Sequence, residues 1–210
     1  MGHSDIEQCR AEALHCRSCP LWAEATQTVF GEGPADAAVM FVGEQPGDQE
    51  DRQGRPFVGP AGQLFDRALV EAGVDRRGVY VTNAVKHFKF ELRGKRRIHQ
   101  KPDYKEILAC KPWLQAEIEL VDPPLIVALG ATAAQSLLGR AVTISKERGH
   151  FQPFPPSRHL FVTVHPSYLL RLPDERMQAL EYERFVGELR LIGSGPKNAQ
   201  AQLPRQGVLF

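Results

Sequence analysis

The sequence describes an α/β protein: a three-layer α/β/α sandwich with a four-stranded, mostly parallel central sheet. Three observations say so. Four short runs are almost continuously apolar and rich in β-branched residues, as strands covered on both faces must be. Segments with helical spacing of apolar residues separate those runs, and parallel neighbours need such crossovers. A chain of 210 residues, 42% hydrophobic, is long enough to bury one good core.

In order, the first run is "AAVMFVGE" (37–44), followed by a helical pattern over 60–72 carried by Leu64, Ala68 and Leu69. The second, "GVYVTNAVK" (78–86), precedes a pattern over 103–121 with Ile107, Leu114, Ile118 and Val121. "PLIVALG" (124–130) leads into 131–138, with Ala134, Leu137 and Leu138, and "HLFVTVHP" (159–166) into a last helix over 173–192. Residues 1–192 therefore read as one domain. Residues 193–210, "GSGPKNAQAQLPRQGVLF", read as a flexible tail because they are rich in Gly, Pro, Gln and Ala. No stretch reaches the apolar length of a bilayer span and the N-terminus has no signal-type apolar region, so a cytoplasmic protein is expected.

A formal net charge of +1 makes no global case for nucleic acid. The local balance does. Lys86, Lys89, Arg93, Lys95, Arg96, Arg97 and Lys101 stand against Glu91 alone, and Phe88 and Phe90 interleave them, a pattern suited to holding a polyanion and stacking on its bases. Within it, "RGKRRIHQKP" (93–102) sets one imidazole, His99, behind three consecutive cations. The four cysteines, Cys9, Cys16, Cys19 and Cys110, are too few and too unevenly spaced for a disulfide framework. Cys16 and Cys19 form a CxxC, which zinc, iron–sulfur and redox sites all use.

In a parallel sheet the ligand site lies beyond the carboxyl ends of the strands. Those ends carry Gly43-Glu44-Gln45-Pro46-Gly47-Asp48, then Asn83, Gly130 and His165-Pro166-Ser167. Each polar residue has a structural alternative: Asn83 as a turn former, His165 as a cap, Glu44 as a solvated acid. Four polar ends converging on one crevice nonetheless mark a site.

The string "GEQPGDQEDRQGRPFVGPAGQLFD" (43–66), with "VTNAVK" (81–86) and "VHPSYLLR" (164–171), resembles the uracil-DNA glycosylase superfamily, in its iron–sulfur branch. "GKRRIH", "NAVKHFKF" and "GEQPG" narrow the resemblance to the UdgX type, whose members bond covalently to uracil-containing DNA. The resemblance implies that Phe57 stacks on an extruded uracil and that Asn83 reads its N3–H and O4 edge, with Gly43 and Gln45 also at the base. It implies that His165 stabilises negative charge at uracil O2, that His99 attacks deoxyribose C1′, and that Glu44 orients His99. The resemblance further implies that Gln45 is a positioning residue at the reacting centre and that Asp48 makes a contact there. Lys95, Arg96, Arg97, Ser167 and Arg171 would face DNA, with Leu169 or Leu170 as a wedge.

The same resemblance implies a 4Fe–4S cluster on Cys16, Cys19, Cys110 and His87, the last standing where turnover relatives have cysteine, with Cys9 as the competing fourth ligand. A monomer acting on uracil-containing DNA, single strands preferred, is expected. An ordinary turnover glycosylase and a non-catalytic DNA-binding module are the alternatives. Finally, "QGVLF" (206–210), with Gln206, Leu209 and Phe210, resembles peptides that dock repair proteins on a sliding clamp.

Overall fold

The computed structural model describes residues 3–202. The chain runs through α1 (His3–Ala13), β1 (Val39–Gly43), α2 (Asp48–Gln53), α3 (Pro60–Ala72), β2 (Tyr80–Asn83), β3 (Phe90–Arg93) and β4 (Arg96–His99). It continues through α4 (Tyr104–Val121), β5 (Leu125–Leu129), α5 (Ala131–Leu138), α6 (Ile144–Glu147), β6 (Phe151–Phe154), β7 (Arg158–Thr163), α7 (Pro166–Leu170) and α8 (Glu175–Gln202). Among the described residues no helix is long and apolar enough to cross a membrane.

The central sheet has five strands in the order β2-β1-β5-β7-β6, so the expected four are joined by one more. The four expected strands are mutually parallel, while β6 runs antiparallel to β7 at the edge. "FQPF" shows no strand signal because it contains Pro153, and an edge strand tolerates proline where a central one would not. Strand residues alternate between two cores. Met40, Val42, Ile126, Ala128, Leu160 and Val162 face α1, α4 and α5, whereas Phe41, Val127, Leu129 and Phe161 face α3, α7 and α8. Three layers result, and all four parallel strands end at the same side of the sheet.

Two further expectations change. The basic stretch after β2 is a β-hairpin rather than a loop: β3 and β4 pair Phe90 with His99 and Arg93 with Arg96. Gly94, at φ 61°, takes the first turn position, which a two-residue hairpin requires to be left-handed. At the C-terminus, helix extends past residue 193 to Gln202, broken at Gly195 (φ 75°, ψ 163°), because Lys, Ala and Gln are good helix formers. Residues 206–210, the clamp-like peptide, lie outside the described residues.

Phe65 of α3 is fully buried, 5.0 Å from the Phe41 ring and 5.4 Å from Phe57, so it joins the sheet, the helix and the loop between them. Phe65→Ala is expected to lower stability by about 3–5 kcal/mol. Urea denaturation checks this as a reduced midpoint with an unchanged slope.

Candidate active site

A cavity of about 1190 Å³ opens at the carboxyl ends of the parallel strands, lined among others by Glu44, Phe57, Asn83, His99, Thr132 and His165. Residues far apart in sequence meet there because the crossovers return each strand end to one edge of the sheet.

Gly43 permits the convergence of Asn83 and Phe57. A Cβ at Gly43 would collide with Asn83 Oδ1 and with the Phe57 ring. Phe57 itself sits in the left-handed region at φ 58°, an uncommon conformation for a bulky residue, and its backbone lies where any side chain at Gly62 would be. The Phe57 ring is thereby held 6.1 Å from His165, tilted by 31°, as one wall of the crevice. Glu50, which sequence reasoning passed over, ties the wall together: its buried carboxylate accepts from Gly47 N at 3.1 Å and Gly59 N at 2.7 Å. The available signal was its place three residues after Gly47, where an acid in the first turn of α2 can reach back to the main chain that precedes the helix.

The His165 ring is oriented from behind. Its Nδ1 accepts from Ser167 N at 3.2 Å and stands 2.8 Å from Ser167 Oγ, which in turn accepts from Arg171 at 2.9 Å. An Nδ1 that accepts leaves the single proton of the neutral ring on Nε2, as a donor. Burial, partly offset by the Glu44 carboxylate and reinforced by the Arg171 charge, brings the His165 pKa down to about 4. Ser167 and Arg171, expected against DNA, thus serve His165 directly. Leu169 is buried in the core, so it is no wedge; Leu170 is exposed.

The hairpin carries His99 over the crevice. Across β3 and β4, Phe90, Leu92, Arg97 and His99 share one face. Arg97 reaches Asp48 at 2.5 Å and Asp51 at 2.6 Å, and it lies over the Phe90 ring at 5.0 Å and the Phe88 ring at 5.4 Å. Its side chain, expected at phosphate, is only 11% exposed and is paired with both carboxylates. Asp48 is consequently a docking residue for the hairpin. Gln45 completes the clamp, its amide donating to Lys89 O at 3.2 Å and Gln100 O at 2.9 Å while accepting from Lys89 N at 3.1 Å. Its polar atoms, expected at the base, are committed to the hairpin stem.

His99 Nε2 then lies 3.2 Å from Glu44 Oε1, with the side chain 49% exposed. The other Glu44 oxygen takes the hydroxyl of Thr132, a residue without any motif signal. Burial pushes the Glu44 carboxyl up, but the His99 and Thr132 hydrogen bonds outweigh it and the carboxyl ends below its ordinary range. Lys95 and Arg96 are exposed at the hairpin tip. Lys89 pairs with Glu106 at 2.8 Å, and Lys86 is buried against Glu117, so neither belongs to the free basic patch counted from the sequence.

Behind the stem, Cys19 packs against Cys110, whose interaction with it lowers the Cys19 thiol pKa from its ordinary value against the opposing effect of burial. Cys16 accepts from Trp113 Nε1 at 3.1 Å. His87 Nε2 is 3.0 Å from Thr28 Oγ1, whose own proton goes to Ala13 O at 3.1 Å. Thr28 can only accept from His87, so the His87 proton is on Nε2. His87 Nδ1 is then a buried lone pair with no hydrogen-bond partner, and an imidazole nitrogen of that kind can serve as a metal ligand. Among the described residues no three such donors close on a single ion. Three thiols and one imidazole are nonetheless a donor set that an iron–sulfur cluster can use. Cys9 packs instead with Ala13 and Phe30 in the other core.

The model of the uracil DNA glycosylase superfamily matches residues 30–190. A type-4 uracil-DNA glycosylase of Thermotoga maritima is 41% identical over 169 residues, covering 80% of this chain and 84% of that protein. Those of Sulfurisphaera tokodaii and Saccharolobus solfataricus are 34% and 36% identical, covering 89% and 84% of this chain and 85% and 82% of theirs.

The His165 environment makes a pH prediction. Its folded pKa is depressed, so the stability it contributes is complete above the unfolded value near 6.5 and is lost as pH falls toward about 4. Nitrogen-detected NMR of the ring is expected to show Nε2–H at pH 7 and a midpoint near 4. A midpoint near 6.5 would show that the ring is not held as described.

Proposed function

The chain belongs to the uracil-DNA glycosylase superfamily, and from that premise we propose that it extrudes and excises uracil from DNA and keeps the DNA through a bond from His99 to deoxyribose C1′. Single strands are the preferred substrate, since extrusion there forfeits the least pairing and stacking. The observation that carries the proposal is the Glu44–His99 pair. The imidazole stands at the carboxylate where a hydrolytic water would otherwise be activated.

The chemistry follows from the groups in place. Uracil stacks on Phe57, and the Asn83 amide matches its N3–H and O4, whereas cytosine presents the reverse pattern. As the C1′–N1 bond breaks, its electron pair leaves with the ring and charge gathers on O2, where the His165 Nε2–H donates. The fold keeps His165 uncharged, so the donor at this step is a neutral imidazole N–H. The lone pair of the His99 nitrogen turned away from Glu44 forms the new bond to C1′. The proton on the opposite nitrogen then passes to Glu44, leaving a neutral N-glycoside with no good leaving group. Lys95 and Arg96 meet flanking phosphates.

Cys16, Cys19, Cys110 and His87 would hold a 4Fe–4S cluster, which when bound cross-links the N-terminal segment, the hairpin stem and α4. His87 and Cys110 bracket the hairpin in sequence, so the cluster fixes its base.

A second reading is ordinary turnover, which the 41% identity to a type-4 uracil-DNA glycosylase favours. Denaturing electrophoresis after incubation with a uracil oligonucleotide separates the two. A heat- and SDS-stable protein–DNA band is expected, and His99→Ser should abolish it while some uracil is still released, because water reaches C1′. Free protein with abasic DNA would establish turnover, and intact uracil would leave a binding module.

Ligation is checked by iron content. His87→Ala is expected to lower bound iron and the broad visible absorbance of the cluster, while Cys9→Ala leaves both unchanged. The opposite result would make Cys9 the fourth ligand.

A further inference from the structure

Lys86, counted from the sequence among the surface cations, is deeply buried. Its side chain is 1% exposed and pairs with Glu117, which is 0% exposed. An ammonium has three protons, and all three are used: on Glu117 Oε2, on Thr82 Oγ1 at 2.7 Å and on the main-chain carbonyl of Asn83 at 2.7 Å. Glu117 is equally saturated, accepting from Gly31 N at 2.8 Å, Tyr80 OH at 3.2 Å and Thr82 Oγ1 at 3.0 Å.

Such a pair is an expensive way to fill space. Two apolar side chains of the same volume are often as stable or more so, and in some proteins ion pairs of this kind serve to make a geometry unique. The sheet shows which geometry needs fixing. β2 is an edge strand. Val81 directs both its main-chain groups to the open side, where Glu32 meets them at 2.8 Å in each direction. Two residues on, Asn83 directs its groups to the same side, since alternate residues of a strand do. The Lys86 ammonium meets its carbonyl there in place of a neighbouring strand. On the other side Ala84 N bonds to Gly43 O at 2.9 Å, so the peptide plane after Asn83 is held from both edges.

We propose that Lys86, neutralised by Glu117, is a positioning residue for base recognition: it fixes the Asn83 main chain and thereby aims the Asn83 amide at the extruded uracil. The inference rests on Asn83 reading the base, as in the proposed function. It differs from a scaffold role in what it predicts, because a scaffold residue supports every ligand alike, while Lys86 acts only where the base is present.

The test uses the full-length holoprotein. Lys86→Met alone strands the Glu117 charge and is expected to unfold, so the decisive variant is Lys86→Met with Glu117→Gln. Two quantities are compared: inhibition of excision by free uracil, and affinity for an oligonucleotide carrying a base-free abasic-site analogue. Uracil inhibition is expected to weaken about tenfold, the scale of one well-placed hydrogen bond, with abasic-site affinity unchanged. Lys86→Gln with Glu117→Gln restores a donor to the Asn83 carbonyl and should recover most of the loss. Equal losses for both ligands, or no loss for uracil, overturn the proposal, as does failure of both double variants to fold, which would assign the pair to the scaffold. Asn83→Ala is the control. If it leaves uracil inhibition unchanged, the reading of Asn83 fails; if it weakens inhibition while the Met/Gln variant does not, only the role of Lys86 fails.

Discussion

One guanidinium decides where the hairpin stands. Arg97 is almost withdrawn from solvent, and a withdrawn charge is tolerable only when paired and hydrogen-bonded. Asp48 and Asp51, both from the helix that follows the β1 loop, supply that pairing, and the Phe88 and Phe90 rings cover the flat face of the guanidinium. Two short strands alone would be marginal in water, so β3 and β4 keep a defined position only because of such anchors. Arg97 and His99 are two residues apart on one strand and share a face. Anchoring the first therefore places the second.

The remaining anchors act at the stem. Gln45 takes the main chain on both sides of it, at Lys89 and Gln100, and Glu106 takes the Lys89 ammonium. Glu44, one residue before Gln45, faces the ring that the hairpin delivers. The loop after β1 thus supplies both the grip on the hairpin and the carboxylate that meets its imidazole. A displacement of the stem would move His99 and its partner relative to each other, and positional errors on the ångström scale are costly in such steps.

Much of this was legible in the chain. The four parallel strands, their order relative to the helices and the convergence of Glu44, Asn83 and His165 on one crevice follow from apolar runs and the rule for strand ends. What stayed hidden has physical reasons. β6 contains a proline, and among the described residues of α1 the buried apolar ones are Ile6, Cys9 and Ala13, helically spaced but too small or too few to stand out. The hairpin was masked by its charge, because a run of cations reads as solvated chain until a carboxylate partner is known. Lys86, Lys89 and Arg97 were counted as one basic patch, and each turned out to have a private acid: Glu117, Glu106 and the Asp48–Asp51 pair. Pairing between residues 31 or 46 positions apart leaves no local trace. Thr132 was missed for the same reason, since its meaning comes only from the Glu44 oxygen above it.

The Glu44 oxygens state the chemical choice most sharply. One is occupied by the Thr132 hydroxyl, and the other faces His99. A carboxylate with both oxygens engaged has little room to draw a proton from water on the sugar face, but it can take one from an imidazole that becomes cationic as it bonds. The hydrogen bonds that lower the Glu44 pKa keep it ionised for that task. Under the proposed function the imidazole would be held beside the carbon and would compete as an intramolecular nucleophile, with an effective concentration far above any solvent molecule that must first displace it. Turnover would require the ring to leave Glu44, and leaving is opposed by every contact that docks Arg97 and Gln45. On the proposed capture, the docking of the hairpin and the fate of the sugar are one question: a docked hairpin would capture, and a released one would let water in.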